Sequence, residues 1–446
     1  MLPADLLHSL YNFVWGFPLI TLLMTVGVVL TFRLRFIQVR GLGTAFRCLR
    51  TSHESHDLVG DISHFAALCT ALSATLGTGN IVGIAVALKV GGPGALFWMI
   101  LSSFFSLSLK YAEGLLAVKY RVSKGDGTLA GGPMYTLEKG LGQPLLAKLF
   151  ALFGVAVALI GIGTMAQTHS IAIAARSFGL HPVLTSCIVT LITALVIWGG
   201  IHRIAETAEK VVPFMVLLYL CAAFILLLMK VDRWGGALKL IVTQAFEPSS
   251  FVGGGTGLSV LAIMRIGITR GLFSHESGLG SAAIAAAAAK TRQPAEQGLV
   301  SMVGAFLSVI ICFVTSLVLM VTAPETQLWS PACPVEDASL TATAFGLGLG
   351  FPRLGAHLVH LSIIFFAFTS IIGWNYYGET CAHYLFKKKS IMTYRSLFLF
   401  FVALGPFLDL RLVFVLADIV TGLMVIPNIL SLIGLRKVII KETPDC

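Results

Sequence analysis

Leu76-Gly77-Thr78-Gly79-Asn80 and Arg270-Gly271-Leu272-Phe273-Ser274-His275-Glu276-Ser277-Gly278-Leu279-Gly280 interrupt two runs that are otherwise apolar enough to cross a membrane. Glycine in a helix interior costs roughly 1 kcal/mol relative to alanine. Glycines set beside Thr, Asn, Ser, His and Glu therefore point to unwound backbone. At membrane depth such backbone is tolerated only where protein buries it or where it lines a wet cavity. Close helix packing alone would explain the glycines. It would not explain buried Thr-Gly-Asn and Ser-His-Glu as well, because polar groups inside a membrane are expensive and tend to be functional.

The rest of the chain supplies the membrane around these stretches. Of 446 residues, 57% are hydrophobic and 12% charged. A soluble domain carries about 25% charged residues. This chain cannot cover itself with polar surface in water, and in a lipid bilayer it does not need to. Its 45 glycines fit that setting, since membrane helices are richer in Gly than soluble ones. The net charge of +10 raises nucleic acid as a partner. The placement of the charges argues for membrane topology instead, and no nucleic acid is expected. Eight cysteines are scattered singly, with no CxxC pair, so no zinc or redox motif is implied. The first 32 residues hold no Lys or Arg. No signal-peptide pattern is visible, and the run from Leu10 to Phe32 reads as a retained helix.

A hydrocarbon core of about 30 Å needs about 20 apolar residues of helix. Eleven runs qualify, near 10–32, 65–88, 95–118, 149–174, 183–202, 211–229, 258–289, 299–323, 355–385, 394–409 and 412–435. The expected fold class is therefore an all-α polytopic membrane protein with 11 transmembrane helices. The ninth run is overlong, which tilt or a helical extension can absorb. With the N-terminus outside, inside segments carry 21 Lys and Arg and outside segments 7. That asymmetry predicts N-terminus outside and C-terminus inside, in the plasma (cytoplasmic) membrane. The outer loops 231–257, with a short interfacial helix near Trp234, and 324–354, with Glu325, Glu336 and Asp337, do not read as separate domains.

The position of the interruptions decides the architecture. Setting the first run aside, the interrupted runs are the first and sixth of ten. That is the layout of two five-helix repeats of opposite orientation, as in the leucine-transporter fold. The expected organisation is one transporter domain over 1–446: an extra helix at 10–32, a first repeat at 65–230 and a second at 258–436. A broken helix offers N–H groups at one half-helix N-terminus, which suit a carboxylate. It offers carbonyls at the other half's C-terminus, which suit Na⁺. Thr78, Asn80 and Ser274 add polar contacts, and Gly77 and Gly79 let a ligand approach the backbone.

A set of specific segments runs in order along the chain. They are Gly77-Thr78-Gly79-Asn80-Ile81, Gly91-Gly92-Pro93-Gly94 with Phe97-Trp98, Lys110-Tyr111-Ala112-Glu113 and Lys119-Tyr120-Arg121. Gly131-Gly132-Pro133-Met134-Tyr135 and Gly161-Ile162-Gly163 with Gln167 follow. Then come Arg270 to Ser274, Glu276, Gly278-Leu279-Gly280-Ser281 and Ala288-Ala289-Lys290-Thr291. Gly373-Trp374, Tyr376-Tyr377-Gly378-Glu379 and Leu416-Ala417-Asp418-Ile419 complete the set. In these segments, which cover nearly the whole chain, the protein resembles the alanine or glycine:cation symporter family, also called the sodium:alanine symporters.

The resemblance implies a leucine-transporter-like 5+5 inverted repeat with one extra N-terminal helix. It implies import of a small neutral amino acid, alanine or glycine, with Na⁺ as coupling ion and H⁺ as the alternative. It implies no other cofactor and no enzymatic activity. On it, Gly77, Thr78, Gly79 and Asn80 would bind the substrate carboxylate. Gln167, Phe273, Ser274 and Trp374 would line the rest of the pocket. Thr369, Ser370 and the backbone near Ala74 would hold the cation. The chain departs from the family at His275 and His169, where Asn is common, and at Ser277, where Ala is common. Imidazoles titrate near neutral pH, so His275, with its neighbour Glu276, is a coupling candidate. Neutral hydrogen bonding in place of an amide is the plainer reading of both histidines.

Other charges inside the runs need partners. Lys110 and Glu113 are spaced to pair on one helix face, near the inner end of the third run, as a structural or inner-gate pair. Glu276 is placed to meet Arg270 or a cation. Arg265 and Arg270 are expected to face an outer vestibule, with Asp418 pairing one of them. Glu379 is expected near the inner surface beside Lys387-Lys388-Lys389. His275-Glu276 opens an HExxH pattern, but Leu279 stands where the second histidine would be, so no zinc-protease site results. No nucleophile elbow or P-loop is present.

Overall fold

A computed structural model describes residues 4–51, 60–124, 127–247, 259–291, 293–326, 337–387, 390–408 and 410–443. Glu336, Lys388 and Lys389 lie outside the described residues. Every expected run meets helical structure. Among the described residues, seven helices are long and apolar enough to cross a membrane: Ser9–Arg33, Val82–Lys119, Pro144–Arg176, Gly200–Met229, Pro294–Val321, Pro352–Phe386 and Val415–Gly434. His64–Thr75, Pro182–Ile197 and Ile391–Phe407 are shorter and apolar. The overlong ninth run is one continuous helix of 35 residues, Pro352–Phe386. At 1.5 Å per residue it is far longer than the bilayer core, so it must tilt or project from it.

Local chemistry sets the helix starts. Pro144, Pro182, Pro294 and Pro352 each stand at the first position of a helix, where the missing N–H costs nothing. Both interrupted helices begin on a serine cap. Ser63 Oγ accepts the Ala66 N–H at 3.0 Å, and Ser259 Oγ accepts the Ala262 N–H at 3.2 Å. Such a cap contributes about 1 kcal/mol. Val82–Lys119 joins the end of the second run to the whole of the third. It kinks at Gly92, whose φ of 68° and ψ of −178° break the helix just before Pro93.

The packing is that of a membrane protein. Phe214, Leu217, Phe224, Ile225 and Leu228 on Gly200–Met229, and Val183, Leu184, Leu191 and Leu195 on Pro182–Ile197, are exposed. The buried set includes Thr70, Ser73, Asn80, Lys110, Glu113, Glu276 and Asn428. Apolar side chains face outward and polar ones inward, as lipid requires. His64–Thr75 lies at the centre, against Gly200–Met229, Pro294–Val321 and Pro352–Phe386. Val260–His275 lies along Val82–Lys119. There a Cβ on Gly267 would collide with the Ala95 carbonyl oxygen, so the backbones themselves are in contact.

Among the described residues the all-α reading has one exception in paired strands, Val122–Ser123 with Leu129–Ala130. It sits beside a tie between the residues that lead into the first interrupted helix and those that leave the second. Asp61 and Ile62 donate their N–H groups to the Ala288 carbonyl, and Lys290 donates to Ile62 O at 2.8 Å. Arg121 crosses this tie, donating to Ala287 O, Ala289 O and Thr291 O at 3.2, 2.8 and 3.0 Å. Asp61 also accepts the Leu129 N–H at 2.9 Å. The short helix expected near Trp234 is present as Trp234–Thr243. Between Pro294–Val321 and Pro352–Phe386, the helix Asp337–Gly348 packs into the protein through Leu340, Thr341 and Phe345.

Candidate functional site

The first interruption opens where the sequence places it. His64–Thr75 ends, Leu76 turns the chain with the Gly77 N–H donating to Thr75 O at 3.1 Å, Gly77 is extended, and Thr78–Asn80 forms a single 3₁₀ turn before Val82 restarts the helix. As the first groups of a new turn, the Thr78 and Gly79 N–H groups have no acceptor within that turn. A Cβ on Gly79 would have the Phe273 carbonyl oxygen as its nearest neighbour, 3.9 Å away. The opening therefore faces the second interrupted helix. Asn80 stands behind it, fully buried, and its side chain is committed to the fold. Its Nδ2 donates to Thr75 O at 2.9 Å, and its Oδ1 accepts from Ser308 Oγ at 2.9 Å and Cys312 Sγ at 3.1 Å. Thr341, from the helix Asp337–Gly348, donates to the Ile81 carbonyl at 3.2 Å.

The second interruption is shorter than expected. Helix runs unbroken from Val260 through His275, so Gly271 to Ser274 are not unwound. Gly271 serves packing: a Cβ there would lie 3.0 Å from Ser102 Oγ and 3.1 Å from Met99 O. The break occupies Glu276 to Gly280, with left-handed φ at Glu276 (51°), Gly278 (92°) and Gly280 (78°). The helix restarts as Ser281–Ala286. Ser274 sits in the last helical turn, its Oγ donating to Arg270 O at 3.0 Å. His275 Nδ1 accepts the Ser277 N–H at 3.1 Å, and its Nε2 has no hydrogen-bond partner among the described residues.

Lys110 and Glu113 correct the sequence reading most. Their side chains go to the backbone of the second break rather than to each other. Lys110 Nζ donates to His275 O at 3.2 Å and Glu276 O at 3.1 Å. Glu113 Oε1 accepts the N–H groups of Gly278 at 2.8 Å and Gly280 at 3.1 Å, and Asn428 Nδ2 at 2.7 Å. The cation thus meets the C-terminal end of one half-helix, and the anion meets the N-terminal end of the next. That is the pairing the helix dipoles favour. Glu276 does not pair with Arg270. Its Oε2 accepts from Ser281 Oγ at 2.7 Å, and the Trp374 indole lies close enough to interact with the same carboxylate. Arg270 is the charge that acts on Asp418, and Arg265 donates to Asn12 Oδ1 at 3.1 Å. Glu379 takes a two-pronged contact from Arg395, at 2.7 and 2.9 Å.

The helix Pro352–Phe386 brings Ser370 against the first break and Trp374 toward Glu276 at the second. A Cβ on Gly373 would lie 2.8 Å from Ala74 N, so this helix touches the backbone of His64–Thr75. Ser370 Oγ donates to Ala74 O at 3.3 Å. A Cβ on Gly77 would meet Ser370 Oγ at 2.8 Å and Gln167 Nε2 at 3.1 Å. Gln167 Nε2 donates to Ile162 O at 3.0 Å, while its buried Oε1 has no hydrogen-bond partner among the described residues. Ala74, Gly77, Gln167 and Ser370 therefore form one polar cluster at the first break. Thr369 is turned away from it, donating to Phe366 O at 3.0 Å with Met215 Sδ 3.5 Å off. His169 lies two residues along the helix that carries Gln167. Phe273 packs on Trp15 with ring centroids 4.8 Å apart.

Four contributors escaped the sequence reading. Ser308 and Cys312 hold Asn80, Asn428 bridges Glu113 to Gly278 O at 2.8 Å, and Trp15 backs Phe273. Ser308, Cys312, Thr315 and Ser316 recur at helical spacing in an apolar run, and that stripe was the available signal.

The geometry can be set beside known proteins. Over 99% of its length the chain is 49% identical to an uncharacterized transporter of Haemophilus influenzae, covering 95% of that protein. It is 42% identical, again over 99% of its length, to the sodium/alanine symporter AgcS of Methanococcus maripaludis, covering 96% of it. A crystal structure of MhsT in complex with L-phenylalanine superposes with a TM-score of 0.62 at 12% identity, over 87% of this chain and 93% of that one. That likeness is one of fold, and it gives this chain the leucine-transporter architecture. The sodium:alanine symporter family profile matches residues 2–446. The chain belongs to the sodium:alanine symporter family.

Proposed function

We propose that this protein imports alanine or glycine together with Na⁺, both bound between the two interrupted helices. The observation that carries the proposal is the cluster at the first break. Open N–H groups at Thr78 and Gly79 offer a carboxylate site, and Ser370 Oγ beside Ala74 O offers oxygens for a cation. Gln167 Oε1 is left to accept a hydrogen bond. Phe273 and Trp374 would wall a space that admits a methyl group and excludes larger side chains. Relatedness to a protein named as a sodium/alanine symporter supports the same choice. On this reading the chain is one domain with eleven crossings in the plasma membrane, its N-terminus outside and its C-terminus inside. Its repeats rock about the bound pair to alternate access. One coupled charge moving through 100 mV supplies about 2.3 kcal/mol, roughly fifty-fold accumulation.

A second reading, coupling to H⁺, is favoured by one observation. The unpartnered His275 Nε2 and the Glu276 carboxylate both stand at the second break. Uptake of labelled alanine into proteoliposomes under an inward Na⁺ gradient, and under an inward H⁺ gradient without Na⁺, separates the two. Uptake driven by Na⁺ alone, and retained in Glu276→Gln and His275→Asn, supports the first reading. Uptake driven by H⁺ and lost in either variant supports the second. Uptake under neither gradient rejects both.

A further inference from the structure

Ser308 stands between the two breaks. Its Oγ lies 2.9 Å from Asn80 Oδ1 and 2.8 Å from the Ser274 carbonyl oxygen. Asn80 closes the first break, and Ser274 precedes the second by two residues. One turn further along the same helix, Cys312 Sγ lies 3.1 Å from the same Asn80 oxygen. All four residues are buried. A serine hydroxyl carries one proton. Ser308 can give it to Asn80 or to Ser274, but not fully to both.

The thiol makes the choice workable. When Ser308 turns to Ser274, Cys312 still donates to Asn80, and no buried acceptor is left bare. When Ser308 turns to Asn80, the Ser274 carbonyl is released. It lies in the last turn of Val260–His275, where carbonyls carry the negative end of the helix dipole. The two arrangements differ by one rotated hydroxyl, and they present different acceptors near the second break.

We propose that Ser308 is a positioning residue that links the two breaks, turning its single O–H hydrogen bond between Asn80 and Ser274 with Cys312 as relief donor. Occupancy at Gly77–Asn80 thereby changes whether the Ser274 carbonyl is engaged or released. The consequence for transport rests on the symport reading above, whereas the shared hydrogen bond does not.

Two measurements test it. In proteoliposomes, the alanine KM is followed across Na⁺ concentrations for wild type, Ser308→Ala, Ser308→Cys and Cys312→Ser. Losing one buried hydrogen bond should weaken the dependence of KM on Na⁺ by about tenfold in Ser308→Ala, with kcat held within about twofold. Ser308→Cys should recover part of it, because a thiol still donates. Cys312→Ser should behave as wild type. A Ser308→Ala protein with normal Na⁺ dependence and only a lower melting temperature overturns the proposal. Wild type without Na⁺-dependent uptake would count against the symport reading instead. The second measurement needs no transport. The S–H stretching band of Cys312, assigned by its loss in Cys312→Ser, should shift when Ser308 becomes Ala in the detergent-purified protein, because the thiol is then the sole donor to Asn80. A band that stays in place overturns the proposal.

Discussion

Glu113 Oε1 accepts the N–H of Gly278 at 2.8 Å, from a position 165 residues earlier in the chain. The same oxygen takes the Gly280 N–H, while Lys110, one turn before Glu113, takes the carbonyls of His275 and Glu276. A single turn of one helix therefore fixes both ends of the break in another. Within the five-residue gap this gives partners to the Gly278 and Gly280 N–H groups and to the Glu276 carbonyl, groups that would be costly to leave bare at membrane depth.

Glu113→Ala should destabilise the protein by about 3–5 kcal/mol, since it leaves Lys110 buried without its counter-charge and two N–H groups without an acceptor. Glu113→Gln should cost less. The double variant Lys110→Met with Glu113→Gln should melt above Glu113→Ala, because both charges leave together. Thermal unfolding in detergent reads all three. A Glu113→Ala protein as stable as wild type would remove the proposed clamp.

Gly77 and Gly79 should respond differently to the same substitution. In Gly77→Ala the new Cβ would lie 2.8 Å from Ser370 Oγ and 3.1 Å from Gln167 Nε2, displacing the polar cluster. Alanine affinity should fall more than tenfold. In Gly79→Ala the nearest atom is 3.9 Å away. The ligand-free fold should be kept, and the methyl should fill ligand space, shifting preference from alanine toward glycine. Competition binding with the two amino acids measures both effects. Equal behaviour of the two variants would contradict the geometry.

Beyond the end of Pro294–Val321, Glu325 accepts from Lys230 Nζ at 3.0 Å and Arg233 Nη1 at 2.6 Å. Burial alone pushes its carboxyl up, but the hydrogen bonds from Lys230 and Arg233 outweigh that and hold it below the ordinary 4.5. A group lowered in the folded state stabilises fully above its unfolded value and loses that contribution as pH falls through the folded one. Wild type should therefore melt above Glu325→Gln at pH 7, by about 1 kcal/mol or less for a part-exposed cluster. The gap should close below pH 4.5. A gap that is constant with pH would show that charge plays no part.

Arg121→Ala should loosen the inner tie, since three carbonyls from Ala287 to Thr291 lose their donor together. A cysteine placed at Ile62 on a background free of other cysteines should then react faster, by about tenfold or more, with a membrane-impermeant maleimide applied from inside. Unchanged labelling would mean that the backbone bridge alone closes this side.

Much of this was legible in the chain. Thr78-Gly79-Asn80 announces the first break because glycine and buried polar groups coincide there. At the second break the same signal spread over eleven residues, since Gly271 and Gly278 look alike in sequence. Only the neighbours distinguish them: Gly271 gives room to Ser102 and Met99, whereas Gly278 carries a φ of 92°. Lys110 and Glu113 looked like a local pair because their spacing permits one, and their true partners lie on another helix. Ser308, Cys312 and Asn428 act through contacts across 34 to 315 positions, which local pattern does not record.

The central claim is that an amino acid and its ion share the space at the first break. Equilibrium binding of labelled alanine to the purified protein, titrated with Na⁺ and separately with K⁺, tests it most directly. The account predicts that Na⁺ alone tightens alanine binding and that Ser370→Ala abolishes this effect. Alanine binding that ignores Na⁺, or that keeps its Na⁺ dependence in Ser370→Ala, would contradict it.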